Sequence, residues 1–85
     1  MPISDRVLDH LAEVAETDEV RENLDLRLYD QHILDSLATV DLILALSEEF
    51  GIDIPPASLD RQDWATPRLI IADVERRLGA RRIAA

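Results

Sequence analysis

"LDSLATVDLILALSEEFG", residues 34–51, decides how this chain folds. Its apolar positions recur at helical spacing, and the run closes on a glycine. The spacing predicts a helix from Ser36 to about Phe50, with Gly51 as the left-handed residue that ends it. A serine behind an aspartate at the mouth of such a run is expected to cap it, because its oxygen accepts a free backbone N–H of the first turn. At about 100° per residue from Thr39, the residues Leu42, Ile43, Leu46 and Phe50 fall within about 60° on either side and form one core stripe. Leu37, Val40 and Leu44 fall elsewhere, at roughly 100–160°, with Asp41 and Glu48 beside them. A helix in a small bundle rarely buries so much of its circumference. Either the buried face is wide and covered by a loop, or an apolar patch rimmed by acids is left exposed as a docking surface.

Outward from this helix, residues Ile3 to Glu16 place Ile3, Val7, Leu8, Leu11, Val14 and Ala15 at helical spacing, with Ser4 or Asp5 available as a cap. From Thr17 to Asp35 the pattern weakens. Leu24, Leu26 and Leu28 alternate with charged residues as a strand would, but no second strand exists to pair with them. The preferred reading is a long loop pinned by Leu24, Leu26, Leu28, Ile33 and Leu34. "IDIPP" (52–56) is extended ahead of its prolines, and Ser58 to Asp63 has room for one short helical turn. Thr66 and Pro67 then open a last helix whose apolar face is Leu69, Ile70, Ile71, Val74 and Leu78. Gly79 is its expected stop, with Arg76, Arg77, Arg81 and Arg82 at its negative pole. The prediction is an all-α fold, an antiparallel bundle of three main helices and one short one with a long first loop. It forms a single domain over residues 1–85 with an ordered core of about 3–79.

Eighteen acidic residues face nine basic ones, all arginine, for a net charge of -9. Such a surface repels phosphate backbones and anionic membranes and favours partners with basic patches. No apolar run approaches the roughly 18–20 residues of a membrane span. The first residues, "MPISDRVLDH", lack the basic start and apolar stretch of a secretory signal, and cysteine is absent. A cytoplasmic monomer is expected.

Little in the chain suggests independent catalysis. Ser36 has no glycine-framed elbow around it, and His32 and Asp35 do not compose a triad with it. His10 and His32 lack the helpers a metal site needs, so no metal is expected. Glu48–Glu49 is taken as plain surface. Tyr29 and Trp64 are expected to anchor the core.

"LDSLATVDLILALSEEFGIDIP" resembles the attachment region of acyl carrier proteins, small acidic four-helix domains that carry a 4'-phosphopantetheine arm on serine. The likeness lies in Asp35-Ser36-Leu37, Val40-Asp41-Leu42 and Glu48-Glu49-Phe50. "LDRQDWATPRLIIADV" (59–74) and "EVRENLDLRLYDQHILDS" (19–36) are similar to D-alanyl carrier proteins in particular, through Trp64, Thr66-Pro67, Val20, Glu22, Asn23, Leu34 and Asp35. His32 departs from that pattern, where glycine is usual. The resemblance implies a non-catalytic carrier whose Ser36 is modified by a phosphopantetheinyl transferase, with Asp35 in support. It implies loading with D-alanine as a thioester by an adenylating ligase. A membrane-bound acyltransferase system would then esterify teichoic acids. Leu37, Val40, Asp41, Leu44 and Glu48 would form the face on which these partners dock. Two other readings stay open: a carrier of another amino acid or acyl group, and an unmodified acidic interaction bundle in which Ser36 only caps its helix.

Overall fold

The computed structural model describes residues 3–84. Helices α1 (Ile3–Ala15), α2 (Glu19–Glu22), α3 (Ser36–Phe50) and α4 (Pro67–Ala84) follow one another, with 3-10 turns at Pro56–Ser58 and Arg61–Trp64. No strand occurs among the described residues. The alternation Leu24-Asp25-Leu26-Arg27-Leu28 belongs to the loop, where Leu28 is buried and Leu24 and Leu26 pack against the core. One turn of it, α2, is helical and buries Val20.

The core lies between α1, α3 and α4. Val7, Leu8, Leu11 and Ala12 enter it from α1, Leu42, Ile43 and Leu46 from α3, and Ile70, Ile71 and Val74 from α4. Leu34, Ile52 and Ile54 seal its ends from the connections. Gly51 adopts φ 63°, ψ 35°, the left-handed conformation that ends α3 without a Cβ clash. Pro67 opens α4, and the Thr66 hydroxyl accepts the Leu69 N–H at 3.3 Å, as a cap should.

Several expectations need correction. Ser4 and Asp5 lie inside the first turn of α1, which already begins at Ile3. The single turn expected over Ser58–Asp63 is two 3-10 turns. The second is closed reciprocally: Asp60 N–H donates to the Asp63 carboxylate at 3.1 Å and Asp63 N–H returns to the Asp60 carbonyl at 3.0 Å. Leu69 is 42% exposed, because the spacing of Ile70 and Val74 turns it outward. Gly79 does not stop α4, which continues to Ala84. A single helical glycine costs only about 1 kcal/mol relative to alanine and breaks nothing by itself. Arg81 and Arg82 lie outside the described side chains.

Trp64 is fully buried, as an anchor should be, but its indole N–H requires a partner there. Asp73 of α4 supplies it at 2.9 Å and is itself only 7% exposed. Burial pushes the Asp73 carboxyl up, yet the Trp64 N–H and the Arg77 and Arg76 guanidinium groups outweigh it and hold the group below the usual carboxylate range.

Candidate functional site

The N-cap of α3 is Asp35, not Ser36. Asp35 is extended (φ -125°, ψ -175°), and its Oδ1 accepts the Ala38 N–H at 2.8 Å. Its carbonyl accepts both the Thr39 N–H at 2.9 Å and the Thr39 hydroxyl at 2.7 Å. Ser36 is therefore the first helical residue. Its side chain is relieved of capping and points to solvent. With the Thr39 proton committed to Asp35, the Tyr29 hydroxyl donates to Thr39 Oγ1 at 2.6 Å. Tyr29 thus pins the loop onto the first turn of α3, half-buried rather than deep in the core.

Among the described residues, one hydrogen bond reaches Ser36 Oγ, donated by Arg61 Nη2 at 3.3 Å. Arg61 also lies over the Tyr29 ring, 5.3 Å from its centroid, a cation–π arrangement. An arginine only donates, so it cannot take the serine proton. The hydroxyl is presented and positioned without an adjacent base. Beside it runs a groove of about 210 Å³, walled by Tyr29, Thr39, Val40, Ile43, Leu59 and Arg61.

The approach to this end is a tight turn. His32 sits at φ 59° and donates its N–H to the Tyr29 carbonyl at 3.1 Å, while the Ile33 and Leu34 N–H groups both reach the Leu28 carbonyl. Left-handed backbone favours glycine, with histidine among the more tolerant alternatives. That geometry explains physically why a glycine suits the position of His32.

Farther along α3 the two apolar stripes separate cleanly. Leu42, Ile43 and Leu46 are buried, whereas Leu37 is 75%, Val40 42% and Leu44 59% exposed. Among the described residues the second stripe is left largely uncovered, with Val40 partly walled by the groove beside Ser36. Asp41 and Glu48 are exposed beside it. Glu49 behaves differently from Glu48: Arg6 and His10 both reach its Oε1, and Arg6, then His10, hold its carboxyl below the usual range. That pair of glutamates is thus not uniform surface. Glu49 ties α3 to α1, and His10 is occupied in that tie.

The family described as a phosphopantetheine attachment site matches residues 5–74. A D-alanyl carrier protein of Lacticaseibacillus rhamnosus is 48% identical over 73 residues, which cover 86% of this chain and 90% of that one. Those of Listeria monocytogenes serotype 4b and of Enterococcus faecalis are each 43% identical over 75 residues, covering 88% of this chain and 96% of theirs.

Proposed function

We infer the function from the family: this chain belongs to the D-alanyl carrier proteins, a group within the phosphopantetheine attachment family. It is a non-catalytic carrier, a substrate of transferases and ligases, and its cofactor is covalent 4'-phosphopantetheine. When bound, that group supplies a terminal thiol able to hold an acyl group as a thioester. A chain without cysteine has no such thiol of its own.

The attachment point in this reading is Ser36, and the observation that carries it is the exposed hydroxyl on the first residue of α3 with no base against it. A phosphopantetheinyl transferase supplies what is missing. Ser36 Oγ forms a bond to the phosphorus nearer the pantetheine in coenzyme A, and the bond to the nucleotide half breaks. The serine proton passes to a base on the transferase. The residues present fit the product. The start of a fifteen-residue helix favours an anion, and the adjoining groove leaves the arm's path open. Asp35 holds Ser36 in place by capping α3.

The cargo in this reading is D-alanine, activated with ATP by an adenylating ligase and passed to a membrane-bound acyltransferase for esterification of teichoic acids. No described helix is long and apolar enough to cross a membrane. Loading is placed in the cytoplasm, where ATP and coenzyme A are available. The exposed residues Leu37, Val40 and Leu44, rimmed by Asp41 and Glu48, suit partners that present an apolar contact inside a basic border.

Treatment with a phosphopantetheinyl transferase and coenzyme A is expected to add the mass of one phosphopantetheine to the wild type and none to Ser36→Ala. A wild type that stays unmodified with a competent transferase overturns the assignment of Ser36. Offering amino acids singly to the cognate ligase and the modified protein then tests the cargo. Preference for anything but D-alanine overturns that part and leaves the attachment site standing.

A further inference from the structure

In a chain with this excess of acid, an arginine without a carboxylate is unusual. Seven arginines have described side chains, and six of them pair with acids: Arg6 with Glu49, Arg21 with Asp9 and Asp18, Arg27 with Asp30, Arg68 with Asp25, and both Arg76 and Arg77 with Asp73. Arg61 alone among them makes no ion pair. It donates instead to a neutral oxygen, Ser36 Oγ, across 25 residues of sequence. A guanidinium hydrogen-bonded to a hydroxyl forgoes the Coulomb attraction that an anionic oxygen would add. Carboxylates are abundant, with Asp60 next in sequence, yet Arg61 turns to the serine and is held there by the Tyr29 ring.

Resting on the reading of Ser36 as the attachment point, we propose that Arg61 is a preformed clamp for the phosphodiester created there. The oxygen Arg61 already touches becomes an ester oxygen of that group, so the anionic oxygens arrive on a phosphorus one bond away. The planar, multiply donating guanidinium suits them. The Tyr29 ring lies against the guanidinium, 5.3 Å from its centroid to the Arg61 Cζ, and the Asp60–Asp63 turn fixes the backbone that carries it. Modification therefore converts a bond from a charged donor to a neutral oxygen into an ion pair without moving the protein. It holds the root of the arm at the mouth of the groove while the thiol end stays free. The role of Arg61 is to position the arm.

The test uses the intact chain with and without the arm. Mass spectrometry first establishes that the arm is on Ser36; failure there counts against the attachment reading and not against the clamp. In arginine-resolved NMR spectra, the Arg61 Nε–Hε signal is expected to shift on modification, with the phosphodiester phosphorus signal shifted in turn between the modified wild type and modified Arg61→Gln. The melting temperature is expected to rise by about 2–4 °C on modification of the wild type, a gain lost in Arg61→Gln and partly kept in Arg61→Lys. An Arg61 signal unchanged by a confirmed modification overturns the proposal. So does a rise of equal size in Arg61→Gln. Should that variant fail to fold, the wild-type Arg61 signal decides alone.

Discussion

Helix α3 carries two apolar stripes of nearly the same composition that do opposite things. Leu42, Ile43 and Leu46 vanish into the core, while Leu37, Val40 and Leu44 stand in solvent. Apolar burial on folding is worth about 25 cal/mol per Å², and less of it survives as affinity on association. The first stripe collects that energy on folding. The second leaves its apolar area in solvent, where the proposed partners would bury it. Similar residue types thus serve stability on one side and, in the function proposed above, recognition on the other, and their angular position on the helix separates the roles.

The largest expected difference comes from truncating one leucine on each side. Leu42→Ala should cost about 2–5 kcal/mol of stability, from lost transfer energy and the cavity left behind. Leu44→Ala should cost less than about 0.5 kcal/mol, as an exposed change does. Urea denaturation of the two variants measures both, and equal losses would break the comparison. The next effect concerns Asp73 of α4, the one buried charged residue among those described. Trp64→Phe removes the indole N–H from Asp73 and should cost about 1–3 kcal/mol, read in the same denaturation curves. On the exposed side, Leu37→Ala and Leu44→Ala should each weaken productive encounter with the ligase by several-fold, about 1 kcal/mol each. Loading kinetics would show it as a raised KM with a nearly unchanged melting temperature. An unchanged KM in both would sharpen the docking surface to Val40 and its acidic neighbours.

The smallest expected effect is in acid. The Asp73 and Glu49 carboxyls are held below their ordinary values of 3.8 and 4.5 in the folded chain. A lowered folded-state value means the unfolded chain binds protons first. Their stabilisation is therefore complete above those ordinary values and is lost as pH falls through the lower folded ones. Asp73→Asn should flatten the decline of melting temperature below about pH 4.

Periodicity made most of this legible in the sequence. The angle between the stripes, the glycine ending α3 and the Thr66-Pro67 entry to α4 are all local facts, fixed by the helix repeat or by φ. Which side of α3 stays uncovered was not local, because it depends on where the first loop comes to rest. Asp73 gives no sign of burial in "IIADVERR"; the cause is Trp64, nine residues earlier and on another element. The single turn α2 is too short to show a period. Arg61 sits in "LDRQDW" as an ordinary polar residue, and only the folded chain returns it to Ser36. The cap was misassigned for a simpler reason. Asp35 and Ser36 are both good N-caps, and the choice between them was settled by the backbone, which leaves Asp35 extended and draws Ser36 into the helix.

The first loop is also stitched to the entrance of α4. Leu28 N–H donates to the Ala65 carbonyl at 2.9 Å, and Arg68 N–H to the Leu24 carbonyl at 3.0 Å. These two amides cannot exchange with solvent deuterium by fraying of a single helix end, since each bridges segments some forty residues apart. Their exchange is expected to be slow and to proceed at a common rate, set by one cooperative opening. Deuterium uptake would then describe the end bearing Ser36 as part of the slowest-opening unit of the chain, the firm socket that an arm attached at Ser36, as proposed, would swing from.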